Sequence, residues 1–419
     1  MQCTVEGITH NGEGVARIEG KAAFIPYAIP GETVAVEIQE HRKTFLRARL
    51  VQVLEASADR VEPPCPYYYQ CGGCAYQHVH YSRQLEFKRQ VVQDNLQRIG
   101  GITADVRPVL GMENPWRYRN KVEWHTGLIS DQLDMGYYRP KSRKLVAIES
   151  CLLISQDMDD LSRYLKKHLE ELRVPEGCEI GLRQSSANQE MMLIFKGAGS
   201  SSIDFAKLLN HQEVASIYSM EAGKLRLHYG DAALSERIKD IDFVVSPLAY
   251  FQVNHSQTEI LIDTVIKYGK LKEDDALLDA YCGTGAISLS AAKSVGKVIG
   301  VENNKPAIKD AKRNAFANSI SNCKFVRGAC EDIVPNLDEH FDVVVLDPPR
   351  IGCQRELIDA VIKISPARVV YVSCNPATLA RDLAVMVQSE YEVRAVQPID
   401  MFPQTSHIEI VVCLERKHS

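Results

Sequence analysis

The stretch that most constrains this chain is Val369-Val370-Tyr371-Val372-Ser373-Cys374-Asn375-Pro376. Its apolar run has the length and β-branched content of a buried strand, and Asn-Pro stops it and turns the chain. Upstream, Phe341-Asp342-Val343-Val344-Val345-Leu346-Asp347-Pro348-Pro349-Arg350 is built the same way: a buried strand, a polar residue at its tip, then prolines. In an open α/β sheet, ligands bind beyond the carboxyl ends of the strands. Asp347 and Cys374 are therefore expected to face one crevice.

The segment from Ser246 onward supplies the rest of such a sheet. Leu248-Ala249-Tyr250-Phe251-Gln252-Val253-Asn254 leads into a helical pattern that runs through Tyr268. Ala276-Leu277-Leu278-Asp279-Ala280 reads as a strand entering the turn Tyr281-Cys282-Gly283-Thr284-Gly285, and a helix begins at Ala286. Val298-Ile299-Gly300-Val301-Glu302 is the next strand, with an acid at its tip 19 positions after Gly283. Glycines let backbone approach a nucleotide, and a carboxylate on the second strand takes ribose hydroxyls. The turn carries only G-T-G and lacks the full G-x-G-x-x-G, which disfavours a pyrophosphate cofactor. Joined to Glu302, Asp347-Pro348-Pro349 and the β/α alternation, it points to a methyl donor carrying adenosine.

A chain of 419 residues has room for two or three domains. Residues up to about 55 show short runs of period two between glycines, which suggests a small β-barrel. His41-Arg42-Lys43, Arg47 and Arg49 put bases on one turn and one strand face, either a solvated face or an oligonucleotide-binding one. Next, Cys65, Cys71 and Cys74 stand at C-x5-C-G-G-C spacing on a loop. Soft thiolates suit zinc or an iron–sulfur cluster. Zinc usually takes a second pair of ligands that does not follow here, whereas a cubane cluster can draw its fourth cysteine from a distance. A helical pattern covers 81–99. Two runs then interleave aromatics with bases, Trp116 to Lys121 and Tyr137 to Lys144. That mixture suits phosphates and stacked, unpaired bases, although a solvated strand pair would read alike.

Composition narrows the setting. Charged residues make up 25% and hydrophobic residues 45%, which are globular values. No run approaches the length of a membrane span, and the first residues lack the basic and apolar regions of a signal peptide, so a cytoplasmic location is expected. There, 12 cysteines argue for thiols, a metal site or catalysis rather than disulfides. The net charge of -5 gives no global attraction for nucleic acid, so any RNA-binding surface must be local.

Taken together, C-x5-C-G-G-C, Phe251-Gln252-Val253-Asn254, Asp279 to Gly285, Asp347-Pro348-Pro349-Arg350, Ser373-Cys374-Asn375-Pro376 and Met401 to Glu409 resemble the RNA uracil-5 methyltransferases of the RumA and TrmA type. The resemblance covers nearly the whole chain. It is nearest to the 23S ribosomal RNA branch, which carries a TRAM barrel and a [4Fe–4S] cluster. It implies three domains: an OB-like TRAM barrel at 1–56, a central α+β iron–sulfur domain at 57–245, and a Rossmann-like methyltransferase domain at 246–419. Part of 77–115 is expected to pack with the last of these. It implies Cys65, Cys71, Cys74 and Cys151 as cluster ligands. It implies Gln252, Tyr281, Glu302 and Asp347, with the Gly283–Gly285 turn, as the S-adenosylmethionine site. Cys374 would be the nucleophile and Glu409 the base. Gln404 stands where relatives often carry His. The implied partner is RNA with a flipped uridine in a single-stranded loop, read by a monomer with no membrane association.

The chemistry fits those residue types. C5 of uracil is a poor nucleophile, and a thiolate added at C6 makes an enolate that can attack a sulfonium methyl. A cysteine thiol is mostly protonated at neutral pH, so Arg350 or the helix start after Pro376 must favour the thiolate. A base must then take the C5 proton, and the target must leave its stack to reach the crevice. Rival readings fit less well. Amino-group methyltransferases place an aromatic where Arg350 stands, and radical enzymes usually space their cysteines C-x3-C-x2-C. The same chemistry on tRNA and a non-catalytic iron–sulfur RNA-binding protein stay open as alternatives.

Overall fold

In the computed structural model, which describes residues 1–210 and 213–417, the C-terminal part is a seven-stranded sheet. Its strand order is Cys323–Arg327, Lys297–Glu302, Ala276–Ala280, Val343–Leu346, Arg368–Ser373, Glu409–Arg416, Tyr391–Ile399. The first five run parallel, and Glu409–Arg416 enters antiparallel to both neighbours. Val343 to Leu346 and Val369 to Val372 are all buried, because helices cover both faces. The order reverses between Ala276–Ala280 and Val343–Leu346, which opens a crevice at the strand tips.

Residues 1–55 form a closed five-stranded barrel around Val5, Ala16, Ile25, Val34, Val36 and Leu46. Three of the bases on its face, all arginines, are paired. Arg47 meets Glu13 at 3.1 Å, Arg49 meets Glu37, and Arg42 meets Glu40. Such surface pairs contribute little and exchange readily.

A second seven-stranded sheet occupies the middle of the chain, with Glu179–Gln184 between Lys121–Ile129 and Met191–Lys196. One face packs Trp124, Ile180, Leu182 and Leu193 against the helix Gln156–Lys167. A two-stranded hairpin, Leu234–Ile238 with Ile241–Val245, links it to the C-terminal part.

The helix Tyr81–Arg98 lies between the cysteine loop and the central sheet in sequence, yet it packs on the C-terminal sheet. Val92 and Leu96 share a core with Leu379, Leu383 and Val396. Beyond the helix, Val106 and Leu110 bridge Val396 and Ile399 on the edge strand. Fully buried Lys88 donates to Asp400 Oδ1 at 2.5 Å and to the Phe402 carbonyl at 3.1 Å. Among the described residues, no helix is long and apolar enough to cross a membrane.

Candidate active site

Four charged or nucleophilic groups meet at the strand tips. Cys374 follows Arg368–Ser373 directly and is half-buried. Antiparallel pairing sets Ser373 against Ile410, so the next step in register brings Glu409 opposite Cys374. Asp347 follows the neighbouring strand, and Arg350 is held beside it. Asn375 Nδ2 donates to the Arg350 carbonyl at 2.9 Å while its Oδ1 caps the helix Pro376–Gln388. The Asn-Pro pair thus ties the Asp347–Arg350 loop to the cysteine turn.

The electrostatics of this group are strong. Burial pushes the Glu409 carboxyl well above the usual range; the Asp347 charge adds to the rise, and Arg350 opposes it. Burial and the charge of Asp279 push Asp347 up to about 7. The Cys374 thiol is raised to about 11 by burial, then by Glu409 and Asp347, with Arg350 pulling it down. Arg350 therefore acts in the expected direction, but the carboxylates and burial outweigh it.

Behind this cluster is a cavity lined by Tyr250, Gln252, Asp279, Tyr281, Gly283 and Asp347, among others. Gly283, at φ 54°, has open space where a Cβ would stand, and Gly285, at φ 89°, packs against Phe325. Both angles favour glycine. Glu302 braces the turn: its oxygens accept from Gly283 N at 3.2 Å and Asn304 N at 2.6 Å. Tyr281 donates to Glu331 at 2.5 Å. Sequence reasoning omitted Asp279 and Tyr250 from the site. Asp279 is fully buried, accepts from Ser288 at 2.5 Å through Oδ2, and leaves Oδ1 without a partner among the described residues. An orphaned carboxylate oxygen at a cavity wall suits a cationic ligand group. An acid one residue before the end of the strand Ala276–Ala280, just ahead of the glycine turn, was the available signal. The donor set fits S-adenosylmethionine: Asp279 would meet its ammonium and the glycine turn would allow backbone approach, with Gln252 on the same wall; Glu302 stands behind the turn and does not line the cavity.

The loop carrying Glu409 is fastened by distant parts of the chain. Buried Gln404, at φ 67°, accepts from Ala75 N at 2.9 Å and Tyr76 N at 3.0 Å through its carbonyl. Its side-chain Oε1 takes Gln84 Nε2 at 3.0 Å. Tyr118 donates to the Pro403 carbonyl at 3.0 Å, and Asn254 Nδ2 donates to that of Met401 at 3.1 Å. The role of Gln404 is thus visible as a latch between this loop, the cysteine loop and the helix Tyr81–Arg98.

Cys65, Cys71, Cys74 and Cys151 line a separate cavity. Their sulfurs face N–H donors: Tyr67 N on Cys65, Gly73 N on Cys71 at 3.4 Å, Gln77 Nε2 on Cys74 at 3.1 Å, and Leu153 and Ile154 N on Cys151. Burial raises all four thiols, Cys71 to about 11, and the charges of Cys65, Cys71 and Cys151 raise others in the set. Arg119, whose buried Nε lacks a partner among the described residues, lines the same cavity. Among the described residues, no group of three or more His, Cys, Asp or Glu side chains is placed to hold a metal ion. The donor set nevertheless fits thiolate ligation of a cluster, since hydrogen bonds to cysteine sulfurs accompany and tune such centres.

The two aromatic-basic runs differ in exposure. Arg117 turns inward onto the Cys151 and Ile154 carbonyls at 2.9 and 3.2 Å, and Tyr118 is buried. Arg139, Arg143 and Lys144 are exposed on the turn after Gln132–Tyr138, where Gly72 N reaches the Tyr138 carbonyl at 3.0 Å.

Comparison with known proteins bears on this arrangement. Residues 224–417 match the family model for tRNA (uracil-5-)-methyltransferase, and residues 1–51 match the TRAM domain. An uncharacterized RNA methyltransferase of Halalkalibacterium halodurans is 38% identical, with 100% of this chain and 97% of that protein aligned. One from Clostridium tetani is also 38% identical, over 98% of this chain and 95% of its own. The crystal structure of Pyrococcus abyssi tRNA (uracil-54, C5)-methyltransferase in complex with S-adenosyl-L-homocysteine superposes with a TM-score of 0.79 at 27% identity. The match covers 99% of this chain and 100% of that one.

Proposed function

The chain belongs to the RNA uracil-5 methyltransferase family, and from that premise we propose that it methylates C5 of a uridine in 23S ribosomal RNA through a covalent cysteine adduct. The observation that carries the reading is the pairing of Ser373 with Ile410, which sets Cys374 and Glu409 at neighbouring strand tips beside the Asp279-lined cavity. S-adenosylmethionine, when bound, supplies an electrophilic methyl group and a sulfonium positive charge. Cys374 Sγ, as thiolate, adds to C6 of the uracil, and the electron pair moves to C5 and the C4 oxygen. C5 then takes the methyl group and for a moment carries both methyl and proton. Glu409, as carboxylate, removes that proton; the C5–C6 double bond reforms and the Cys374 thiolate leaves. Arg350 favours the ionised form of both groups.

Cys65, Cys71, Cys74 and Cys151 would hold a [4Fe–4S] cluster. Its place next to the Gln404 latch supports a structural and RNA-positioning role. The units 1–56, 57–245 and 246–419 would act together as a cytoplasmic monomer, with the barrel and the exposed bases of 139–144 on flanking RNA. A second reading, the same chemistry on tRNA, is favoured by the Pyrococcus abyssi protein, whose substrate is tRNA. Mapping 5-methyluridine in 23S rRNA and tRNA, with and without the protein, decides between them. A site in rRNA that disappears with the protein is expected; a site lost only from tRNA supports the second reading, and unchanged maps overturn both.

A further inference from the structure

The central sheet buries one face against the helix Gln156–Lys167, and its other face carries a second cavity, of about 230 Å³. Register builds that face. Lys121 stands opposite Arg183, which stands opposite Met192; in the next row are Glu123, Gly181 and Ile194. Side chains two apart share a face, so Lys121, Arg183 and Lys196 collect on one side, and Gly181 leaves the hollow between them. The segment 247–250 closes the far wall.

The cations are not equally occupied. Lys196 meets Glu123 at 3.0 Å and Glu179 at 2.5 Å, and Lys121 meets Glu123 at 3.3 Å. Arg183 is only 6% exposed, donates through Nη2 to the Ala249 carbonyl at 3.1 Å, and leaves Nη1 without a partner among the described residues. A buried guanidinium N–H with no acceptor, in a cavity of three cations and one lining carboxylate, is built for an anion. Met192, Ile194 and Leu248 supply an apolar wall beside it.

Its position says which anion. Tyr250 lines both this cavity and the one holding Asp279 and Asp347, and the charges of Glu409, Asp347 and Cys374 reach its phenol. Asn120, next to Lys121, donates its N–H to the Val253 carbonyl at 3.0 Å, fixing the start of that strand to the catalytic unit. We propose that this cavity receives the nucleotide adjoining the target uridine, with its phosphodiester on Arg183 and Lys121 and its base against the apolar wall. The proposal rests on the RNA-methylation reading and deepens it.

The test uses the full chain and an RNA loop containing a uridine that the wild-type enzyme methylates. Each phosphate near that uridine is replaced in turn by a neutral methylphosphonate. One position is expected to weaken wild-type binding about tenfold, the scale of one lost charge-assisted contact. Lys121→Gln should bind the unmodified loop about tenfold more weakly, with unchanged affinity for S-adenosylmethionine, and should be insensitive to the methylphosphonate at that position alone. Arg183→Gln, if it melts like the wild type, should behave in the same way; if it does not fold, Lys121→Gln decides alone. A flat wild-type scan, or a Lys121→Gln variant that still loses affinity at the sensitive position, overturns the proposal. So does competition by inorganic phosphate without a sensitive position in the scan, since that marks a site for the free anion. A wild-type enzyme that methylates no RNA defeats the parent reading instead.

Discussion

Two groups of cysteine sit about one seam, and they are treated in opposite ways. At Cys65, Cys71, Cys74 and Cys151, sulfur faces N–H donors and other thiols. At Cys374, a single thiol faces two carboxyl groups and one guanidinium. The first arrangement suits sulfurs that stay fixed on a cationic centre. The second suits a sulfur whose charge appears and disappears, with neighbours that titrate with it. Residue type is the same; the difference lies in what the backbone and the adjacent strands aim at each sulfur. Gln404 joins the two regions, because its carbonyl accepts from the residues just after Cys74 and its loop ends at Glu409.

The largest effect tests the first region. Anaerobically purified protein should contain about four irons per chain. Cys151→Ala should lose most of that iron and melt well below the parent, while Cys374→Ala keeps both iron and melting temperature. Stoichiometric zinc without iron would remove the cluster and with it the contrast. Next comes the seam. Lys88→Ala leaves the Asp400 carboxylate buried without its cation and with only the Tyr81 hydroxyl on its side chain, which should cost about 3–5 kcal/mol in chemical denaturation; a loss under about 1 kcal/mol would show that the ion pair does not hold the loop.

Glu302→Ala should weaken S-adenosylmethionine binding by about 1–3 kcal/mol, because the Gly283 turn loses its brace as well as a carboxylate. Equal affinity by calorimetry would take Glu302 out of the site. The smallest effect concerns pH. Cys374 and Glu409 both have raised pKa values and both must ionise, so the rate should climb with pH through neutrality. Arg350 lowers both, so Arg350→Gln should move the rising limb to higher pH. A profile identical to the parent's would mean that Arg350 does not act on either group.

Much of this is legible in the sequence. The strand tips at Asp347 and Cys374, the glycine turn and the barrel are local patterns, and local patterns survive in sequence. The folding of Tyr81–Arg98 onto the C-terminal sheet was expected from the family resemblance alone, although Gln84 and Lys88 interrupting a stripe with Val92 and Leu96 carry a trace of it. The run Trp116 to Lys121 shows the limit. Arg117 and Tyr118 look like RNA contacts in sequence, yet they bond to carbonyls at Cys151 and Pro403. Alternating aromatics and bases do not say which way they point. The orphaned oxygen of Asp279 and the doubly shared wall of Tyr250 also had no signal beyond their place beside the motifs, because each depends on distant strands converging.

The central claim is that Cys374 and Glu409 divide one reaction between them, and trapping the adduct tests it most directly. Cys374→Ala should bind RNA and S-adenosylmethionine and transfer no methyl group. Glu409→Gln should add to the uracil and accept the methyl, then stall, since a positioned base accounts for about 10²–10⁴-fold in rate. Methylated RNA should then migrate with the protein on a denaturing gel, and peptide mass spectrometry should place the link at Cys374. Normal turnover by Glu409→Gln, or an inactive variant that binds both ligands and forms no adduct, would contradict the account.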